Sequence, residues 1–110
     1  MGRETVRIVK IEVRSYQLEP RRILAGTRGS YGSLGLQFAM GSDWAGRRTE
    51  VLFYPADGRE PVRVLVGDGP VRVPDAVMEC RGRSRFVLEG FDANSVLRSL
   101  AGYLDVLESA

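Results

Sequence analysis

Three aspartates in turn-like segments are the first candidates for chemistry in this sequence. Asp43, Asp57 and Asp68 each lie close to glycine, and carboxylates in such loops can hold a cation or act as paired acids. No EF-hand spacing connects them, and aspartate near glycine is favoured in turns because its side chain bonds to the local backbone. The three residues therefore predict turns, and no metal site is expected.

Four glycines recur at every third position, at Gly26, Gly29, Gly32 and Gly35. Such spacing could indicate a phosphate-binding loop. The Gly-Lys-Ser/Thr of a Walker loop is missing, however, and so is the G-x-G that follows a strand in dinucleotide-binding proteins. The glycines predict a flexible loop with backbone positions at positive φ.

The numbers of cysteine and histidine residues exclude several classes of enzyme. The chain has one cysteine, Cys80, and no histidine, which excludes Cys/His zinc sites and the Ser-His and Cys-His catalytic pairs. Cys80 follows an apolar pair on a predicted helical turn, so a buried structural thiol is expected. We expect no catalytic residue, no cofactor and no small-molecule substrate.

The basic residues are nearly all arginine, with Lys10 as the only lysine among 16 basic residues, against 14 acidic ones. They are interleaved with Asp and Glu along the chain, which predicts a mixed-charge surface. A concentrated basic patch is what nonspecific nucleic-acid binding requires. A nucleic-acid-binding module stays open as an alternative, and it would use the following arginines: Arg21, Arg22, Arg28, Arg47 and Arg48.

The first half of the chain is predicted to form strands separated by a long loop. Residues 6–14 alternate apolar and polar side chains as a half-buried strand does, and we expect this strand at or near a sheet edge. Residues 15–33 read as a loop with room for a short strand near Ile23. Leu34, Leu36 and Phe38 predict the next strand, and the loop after it contains Trp44, the only tryptophan. We expect Trp44 to cover the core or to contact a partner.

The middle of the chain predicts a hairpin, a short strand and a helical turn. Asp57-Gly58 is a strong hairpin signal between residues 49–54 and 61–66, which should pair antiparallel. A short strand follows at residues 71–73, then a helical turn opened by Pro74, then a strand over residues 84–90. The inward positions of these strands predict the following core: Leu36, Phe38, Val51, Phe53, Val64, Phe86 and Leu88.

The last segment has a helical period, because Leu97, Leu100, Leu104 and Leu107 are spaced by three, four and three residues. This spacing predicts an amphipathic helix over residues 95–108. The chain is accordingly divided into a β-sandwich of about six or seven antiparallel strands at residues 1–92 and a helix within residues 93–110. The leucine stripe would pack on the sandwich or on a neighbouring subunit, which makes it a candidate partner-binding surface together with Trp44.

The order of several short motifs resembles the small β-sandwich domain of tailed-phage structural proteins, such as the N-terminal domain of baseplate upper proteins. The motifs run from Leu34-x-Leu36-x-Phe38 through Asp43-Trp44-x-Gly46, Val51-x-Phe53 and Asp57-Gly58 to Val73-Pro74-Asp75-x-Val77-Met78, Gly82 and Val87-x-x-Gly90. The resemblance covers about residues 26–91. The chain departs from it in two places, since residues 28–33 lack an acidic residue and a predicted helix follows Gly90 where the resemblance implies a strand.

The resemblance implies a non-enzymatic virion protein of the tail, the baseplate or the head, including head-fibre and decoration components. Such a protein would be made in the bacterial cytoplasm and bind other virion proteins or copies of itself as a dimer or trimer. No long apolar run follows Met1, so no secretion signal or membrane contact is expected. A small intracellular inhibitor or accessory protein of a mobile element is the remaining alternative.

Overall fold

The computed structural model describes residues 6–108, and within them the chain is mainly β. Its strands, in chain order, are β1 Arg7–Arg14, β2 Gln17–Glu19, β3 Arg22–Thr27, β4 Leu34–Met40, β5 Arg48–Tyr54, β6 Val62–Leu65, β7 Val71–Arg72, β8 Gly82–Phe91, β9 Val96–Arg98 and β10 Gly102–Leu107. A 3-10 turn at Ser42–Trp44 and a short helix, α1 at Asp75–Met78, complete the described elements.

Within residues 6–108 the strands form two sheets that enclose a hydrophobic core in a sandwich-like arrangement. The smaller sheet has the order β2-β1-β4-β7. The larger has the order β3-β10-β8-β5-β6, with β9 paired to β8 beyond the end of β10. No helix of this described part is long and apolar enough to cross a membrane.

The sheets are mixed, which corrects the expectation of antiparallel strands throughout. β1 and β4 run parallel over Arg7–Val13, and β3 and β10 also run parallel. Each of these pairs joins strands that are separated in sequence, so the connecting chain can cross between sheets. The predicted β5·β6 hairpin is confirmed as antiparallel, with Val51 opposite Val64.

The predicted helix over residues 95–108 is wrong, because the structure has β9 and β10 in its place. Both strands lie along the edge of β8 that β5 leaves free, where their backbone groups complete its ladder. Between them Ser99 continues the pairing with its side chain, as its hydroxyl accepts a hydrogen bond from the Leu88 amide at 2.9 Å.

Gly102 shows why this segment fits a strand. A Cβ at Gly102 would lie 2.3 Å from the Cζ atom of Phe86, so only glycine lets the Phe86 ring pack against the backbone of β10. The alternation in β10 also has a period of two, since Gly102, Leu104 and Val106 are buried while Asp105 faces outward. The burial of one whole face outweighs the helical spacing of the leucines.

Six of the seven predicted core residues are buried, and Val64 is partly buried against the same core. Phe53 and Phe86 from the larger sheet have no exposed surface, and the ring of Phe86 lies 6.3 Å from those of both Phe53 and Phe38, measured between centroids. Because Phe38 comes from the smaller sheet, the two sheets pack on a common layer of aromatic side chains.

The long segment predicted as a loop contains β2 and β3. Ile23 and Ala25 of β3 point into the core, while Leu24 points outward. The glycines that follow match the expectation of positive φ at three positions: Gly26, Gly29 and Gly32. The predicted helical turn after Pro74 is confirmed as α1, and its buried side chains, Val77 and Met78, join the core.

Candidate functional site

The outward face of the larger sheet carries a row of alternating tyrosine and arginine side chains. Strand pairing places Tyr54 of β5 opposite Arg85 of β8, Arg85 opposite Tyr103 of β10, and Tyr103 opposite Arg22 of β3. The residues that follow Arg85 and Tyr103, Phe86 and Leu104, point into the core. All four members of the row therefore face away from the core.

Arginine planes lie against both tyrosine rings of this Tyr-Arg row, which is defined as Tyr54, Arg85, Tyr103 and Arg22. The guanidinium carbon of Arg85 lies 4.4 Å from the centroid of the Tyr54 ring. Those of Arg83 and Arg21 lie 5.5 and 5.8 Å from the centroid of the Tyr103 ring. Contacts of this kind stabilise a guanidinium and fix its plane without using up its N–H donors.

Asp105 pairs with two arginines at the β3 side of the row. Its carboxylate accepts hydrogen bonds from Arg22 Nε at 2.8 Å and from Arg83 Nε at 3.1 Å. The Arg22 guanidinium, and after it that of Arg83, lower the pKa of Asp105 from its ordinary value. Asp105 is therefore a fixed anion that holds two arginines in place.

A second charge network lies at the other end of the same face, around Glu50 and Glu89. Arg63 Nη1 contacts Glu50 at 2.6 Å and Glu89 at 3.2 Å, and Arg48 and Arg98 also pair with these carboxylates. The carboxylates are well covered, with side-chain exposures of 11% and 13%. The network holds its charges in a hydrogen-bonded arrangement that leaves few of its acceptor positions open.

A cleft of about 510 Å³ opens beside the Tyr-Arg row, between the row and the β5–β6 turn. Arg59, Arg83 and Arg85 line it together with Tyr54 and Tyr103. Two of the arginines have carboxylate partners: Arg83 pairs with Asp105, and Arg59 pairs with Asp57 and Glu79. Among residues 6–108, no carboxylate lies within ion-pair distance of Arg85.

The turn that forms one wall of the cleft is fixed by Asp57. Its carboxylate accepts hydrogen bonds from the backbone N–H of Arg59 at 3.1 Å and from Arg59 Nε at 2.9 Å. The Arg59 side chain lowers the pKa of Asp57 from 3.8 to about 2. The predicted turn role of this aspartate is thus observed, and it also orients an arginine of the cleft.

The single thiol lies in the interior, and the acidic residues of the described part of the chain form no cluster that could hold a metal ion. Cys80 is free and buried, its Sγ donates to the carbonyl of Ala76 at 3.3 Å, and burial raises the pKa of its thiol. No group of three or more Cys, Asp or Glu side chains within residues 6–108 is placed to hold a metal ion. The arrangement instead offers arginine N–H donors at a concave surface.

The predicted leucine stripe is divided between different surroundings. Leu104 is completely buried in the core, and Leu97 is partly buried against it. Leu100, between β9 and β10, is 43% exposed, and Leu107, the last residue of β10, is 51% exposed. The four residues thus do not form one continuous surface. Leu107 does line a surface depression with Leu24, next to Arg22 and Asp105.

Trp44 is buried in the core, in agreement with the expectation that it covers the core. It is 2% exposed, and its indole N–H donates to the carbonyl of Ser15 at 2.7 Å. Its ring packs against Gly90, where a Cβ would come within 2.8 Å of Trp44 Cε3. In this position Trp44 presents no surface to a partner.

The arginines proposed for a nucleic-acid module are distributed over several surfaces. Arg21 lies at Tyr103, and Arg22 belongs to the Tyr-Arg row and pairs with Asp105. Arg28 pairs with Glu108, and Arg48 pairs with Glu50. Arg47 is mostly covered and donates to the carbonyls of Asp43 and Gly90. Sequence reasoning missed the row around Arg85, although the alternation of Arg83 and Arg85 before Phe86 indicates that both arginines share the outward face.

No protein-family model matches this chain, and a search of the curated proteins finds no matching sequence. The resemblance to phage β-sandwich domains therefore depends on the motifs of the sequence alone.

Proposed function

We propose that the chain is a non-enzymatic structural protein of a tailed-phage particle, acting through protein–protein assembly in the tail, the baseplate or the head. The observation that carries this proposal is the position of exposed leucines at both edges of the larger sheet. Leu24 and Leu107 are 53% and 51% exposed beside the β3 edge, and Leu65 is 60% exposed on β6 at the other edge. The motif order shared with phage structural domains supports the same function.

Sheet edges are suited to docking because their outer backbone groups can pair with a strand of another protein. Leucine side chains at such an edge add apolar area, and each one that becomes fully buried contributes roughly 1.5 to 3 kcal/mol. The partners are other virion proteins or further copies of this chain as a dimer or trimer. Repetition around a symmetry axis would multiply weak edge contacts.

Particle incorporation tests the proposal. Particles purified from host cultures that carry the gene should contain the chain at a fixed ratio to the major structural proteins, as measured by quantitative mass spectrometry. Replacing Leu24 and Leu65 with Asn should strongly reduce that ratio. Tyr31→Ser is the matched control, because Tyr31 is 50% exposed but lies in the loop before β4.

Two results would count against a virion role. The first is a chain that is abundant in the host cell but absent from purified particles. The second is a stable complex with one host assembly, which would favour the inhibitor of a mobile element. Light scattering on the intact chain separately measures self-assembly, for which we expect a dimer or trimer at tens of micromolar.

A further inference from the structure

We propose that the cleft between the Tyr-Arg row and the β5–β6 turn is a carboxylate-binding site, in which Arg85 binds an Asp or Glu side chain from an acidic segment of a partner protein. This inference rests on the proposed assembly function and specifies the chemistry of the partner. Arg85 occupies the centre of the row, between Tyr54 and Tyr103 on the neighbouring strands.

The first argument is the unequal pairing of the arginines that line the cleft. Arg59 and Arg83 both donate to carboxylates of this chain, whereas Arg85 contacts the Tyr54 ring and no carboxylate among the described residues. A guanidinium held over a ring keeps its N–H edge free and cannot lose its charge at physiological pH. Two parallel N–H donors match the two oxygens of a carboxylate.

The second argument is the shape of the site. The cleft of about 510 Å³ has one wall formed by the turn residues from Pro55 to Pro61 and another formed by the tyrosines. Asp57 fixes the turn by bonding both the backbone and the side chain of Arg59. The donors around Arg85 are thus held in position before a ligand arrives, which reduces the entropy lost on binding.

The charges of the surrounding face favour a protein carboxylate over a nucleic acid. On one side of the row the arginines donate to Asp105, and on the other they donate to Glu50 and Glu89, so an extended phosphate backbone crossing this face would find most arginine donors already occupied. The tyrosine rings also carry arginine planes, which occupies a surface that unpaired bases would use for stacking. A single carboxylate reaching into the cleft avoids both obstacles.

Titration with simple probes tests this site. A short oligoglutamate peptide is added to the intact chain, and the Arg85 Nε–H resonance is followed by NMR. We expect a saturable shift of that resonance, and no shift with oligoglutamine of the same length. Arg85→Ala should weaken oligoglutamate binding by about tenfold to a hundredfold, as loss of a charged hydrogen-bonded pair implies. Arg85→Lys should restore only part of it, because lysine lacks the paired donors.

Arg14→Ala is the matched control, since it removes the same charge from an exposed position on the smaller sheet. If Arg14→Ala and Arg85→Ala weaken oligoglutamate binding equally, the binding depends only on net charge, and the inference is overturned. Tighter, Arg85-dependent binding of oligothymidylate than of oligoglutamate would also overturn it. Both variants are checked for an unchanged melting temperature, so that loss of binding is not loss of folding.

The same variants separate this inference from the proposed function. Arg85→Ala should reduce incorporation into particles, while Arg14→Ala should not. If the unaltered chain enters particles and Arg85→Ala does so equally well, the carboxylate site is refuted and the virion role stands. If oligoglutamate binds through Arg85 but the chain never enters particles, the site stands and the virion role is refuted.

Discussion

The outward faces of the two sheets are covered by very different side chains. On β4 of the smaller sheet the outward residues are Gly35, Gln37 and Ala39, whereas on β8 of the larger sheet they include Arg83 and Arg85. Glycine and alanine leave β4 with little side-chain cover, and the exposed charged residues of the smaller sheet lie on its other strands. Long arginines build a second layer over their sheet, with carboxylates and tyrosine rings inside it.

This difference shows that the two sheets give the fold two different outward surfaces. The aliphatic stems of arginine can cover apolar residues on an outward face. Leu52 and Val87 fit this description, since they lie opposite each other on that face and yet are only 6% and 3% exposed. The larger sheet therefore carries linked charges that are partly covered, whereas the charged side chains of the smaller sheet lie exposed, as the Glu12–Arg14 pair does.

The core that supports both faces should be a single cooperative unit. Phe53→Ala should lower the free energy of unfolding by about 3 to 5 kcal/mol, because it leaves a large cavity beside the fully buried Phe86. Hydrogen exchange should then show amides of β4 and β8 losing protection together. Leu65→Ala, at an exposed position, should change the free energy by less than about 0.5 kcal/mol. A barely altered melting temperature for Phe53→Ala would mean that the core is not the shared support of the two sheets.

Alanine at a glycine should be far more costly on the larger sheet than on the smaller one. Gly102→Ala forces a methyl group against the Phe86 ring and should cost about 1 to 3 kcal/mol by overpacking, measured by urea unfolding. Gly35→Ala should change stability by less than about 1 kcal/mol. The Cβ would meet the tip of the exposed Ile8 side chain at 3.0 Å and the Cβ of Pro70 at 3.3 Å, and the favourable replacement of glycine in a strand offsets part of this crowding. Equal losses at the two positions would contradict the contrast.

Replacing a carboxylate with an amide should lower the free energy of unfolding more on the larger sheet than on the smaller one. Glu50→Gln weakens contacts with Arg48 and Arg63 at a mostly covered position and should cost about 1 kcal/mol. Glu12→Gln removes a pair with Arg14 in which both side chains are at least half exposed, and should cost less than about 0.5 kcal/mol. Chemical denaturation in low and high salt measures both effects. A larger loss for Glu12→Gln would contradict the contrast.

The smallest of these effects is a loss of stability at low pH, caused by protonation of Asp57. Because the pKa of Asp57 is lowered in the folded chain, its contribution to stability is complete above its ordinary pKa of 3.8 and is lost as the pH falls toward about 2. The free energy of unfolding should therefore decline across this range. Carbon NMR of the Asp57 carboxyl should give a pKa near 2 in the unaltered chain and a value closer to 3.8 in Arg59→Met. An unchanged titration in that variant would exclude Arg59 as the main cause.

Strand positions followed from the sequence where alternation and turn chemistry agreed. Leu34, Leu36 and Phe38 gave the correct phase of β4, and Asp57-Gly58 located the β5·β6 hairpin. The segment after Gly90 was predicted wrongly because its leucines recur with a helical period, whereas the residues that β10 buries, Gly102, Leu104 and Val106, alternate with a period of two. Gly102 was the missed signal, since a glycine within a helical stripe costs about 1 kcal/mol relative to alanine.

The candidate site could be anticipated only in part. The alternation of Arg83 and Arg85 with core residues indicates that both face outward, and this much is visible in one strand. Their encounter with Tyr54 and Tyr103 depends on the register of β5, β8 and β10, which are distant in sequence. Register is decided by which face of each strand is buried, so it emerges only when all three strands are packed.

The parallel pairing of β3 with β10 has a consequence for the order in which the molecule can form. Residues 22–27 pair with residues 103–107, so about eighty residues must be synthesised after β3 before its partner strand exists. Contacts between such distant residues close large loops and slow folding compared with local pairing. The β5·β6 hairpin can form early, and we expect the β3 edge, with Leu24 beside it, to form late.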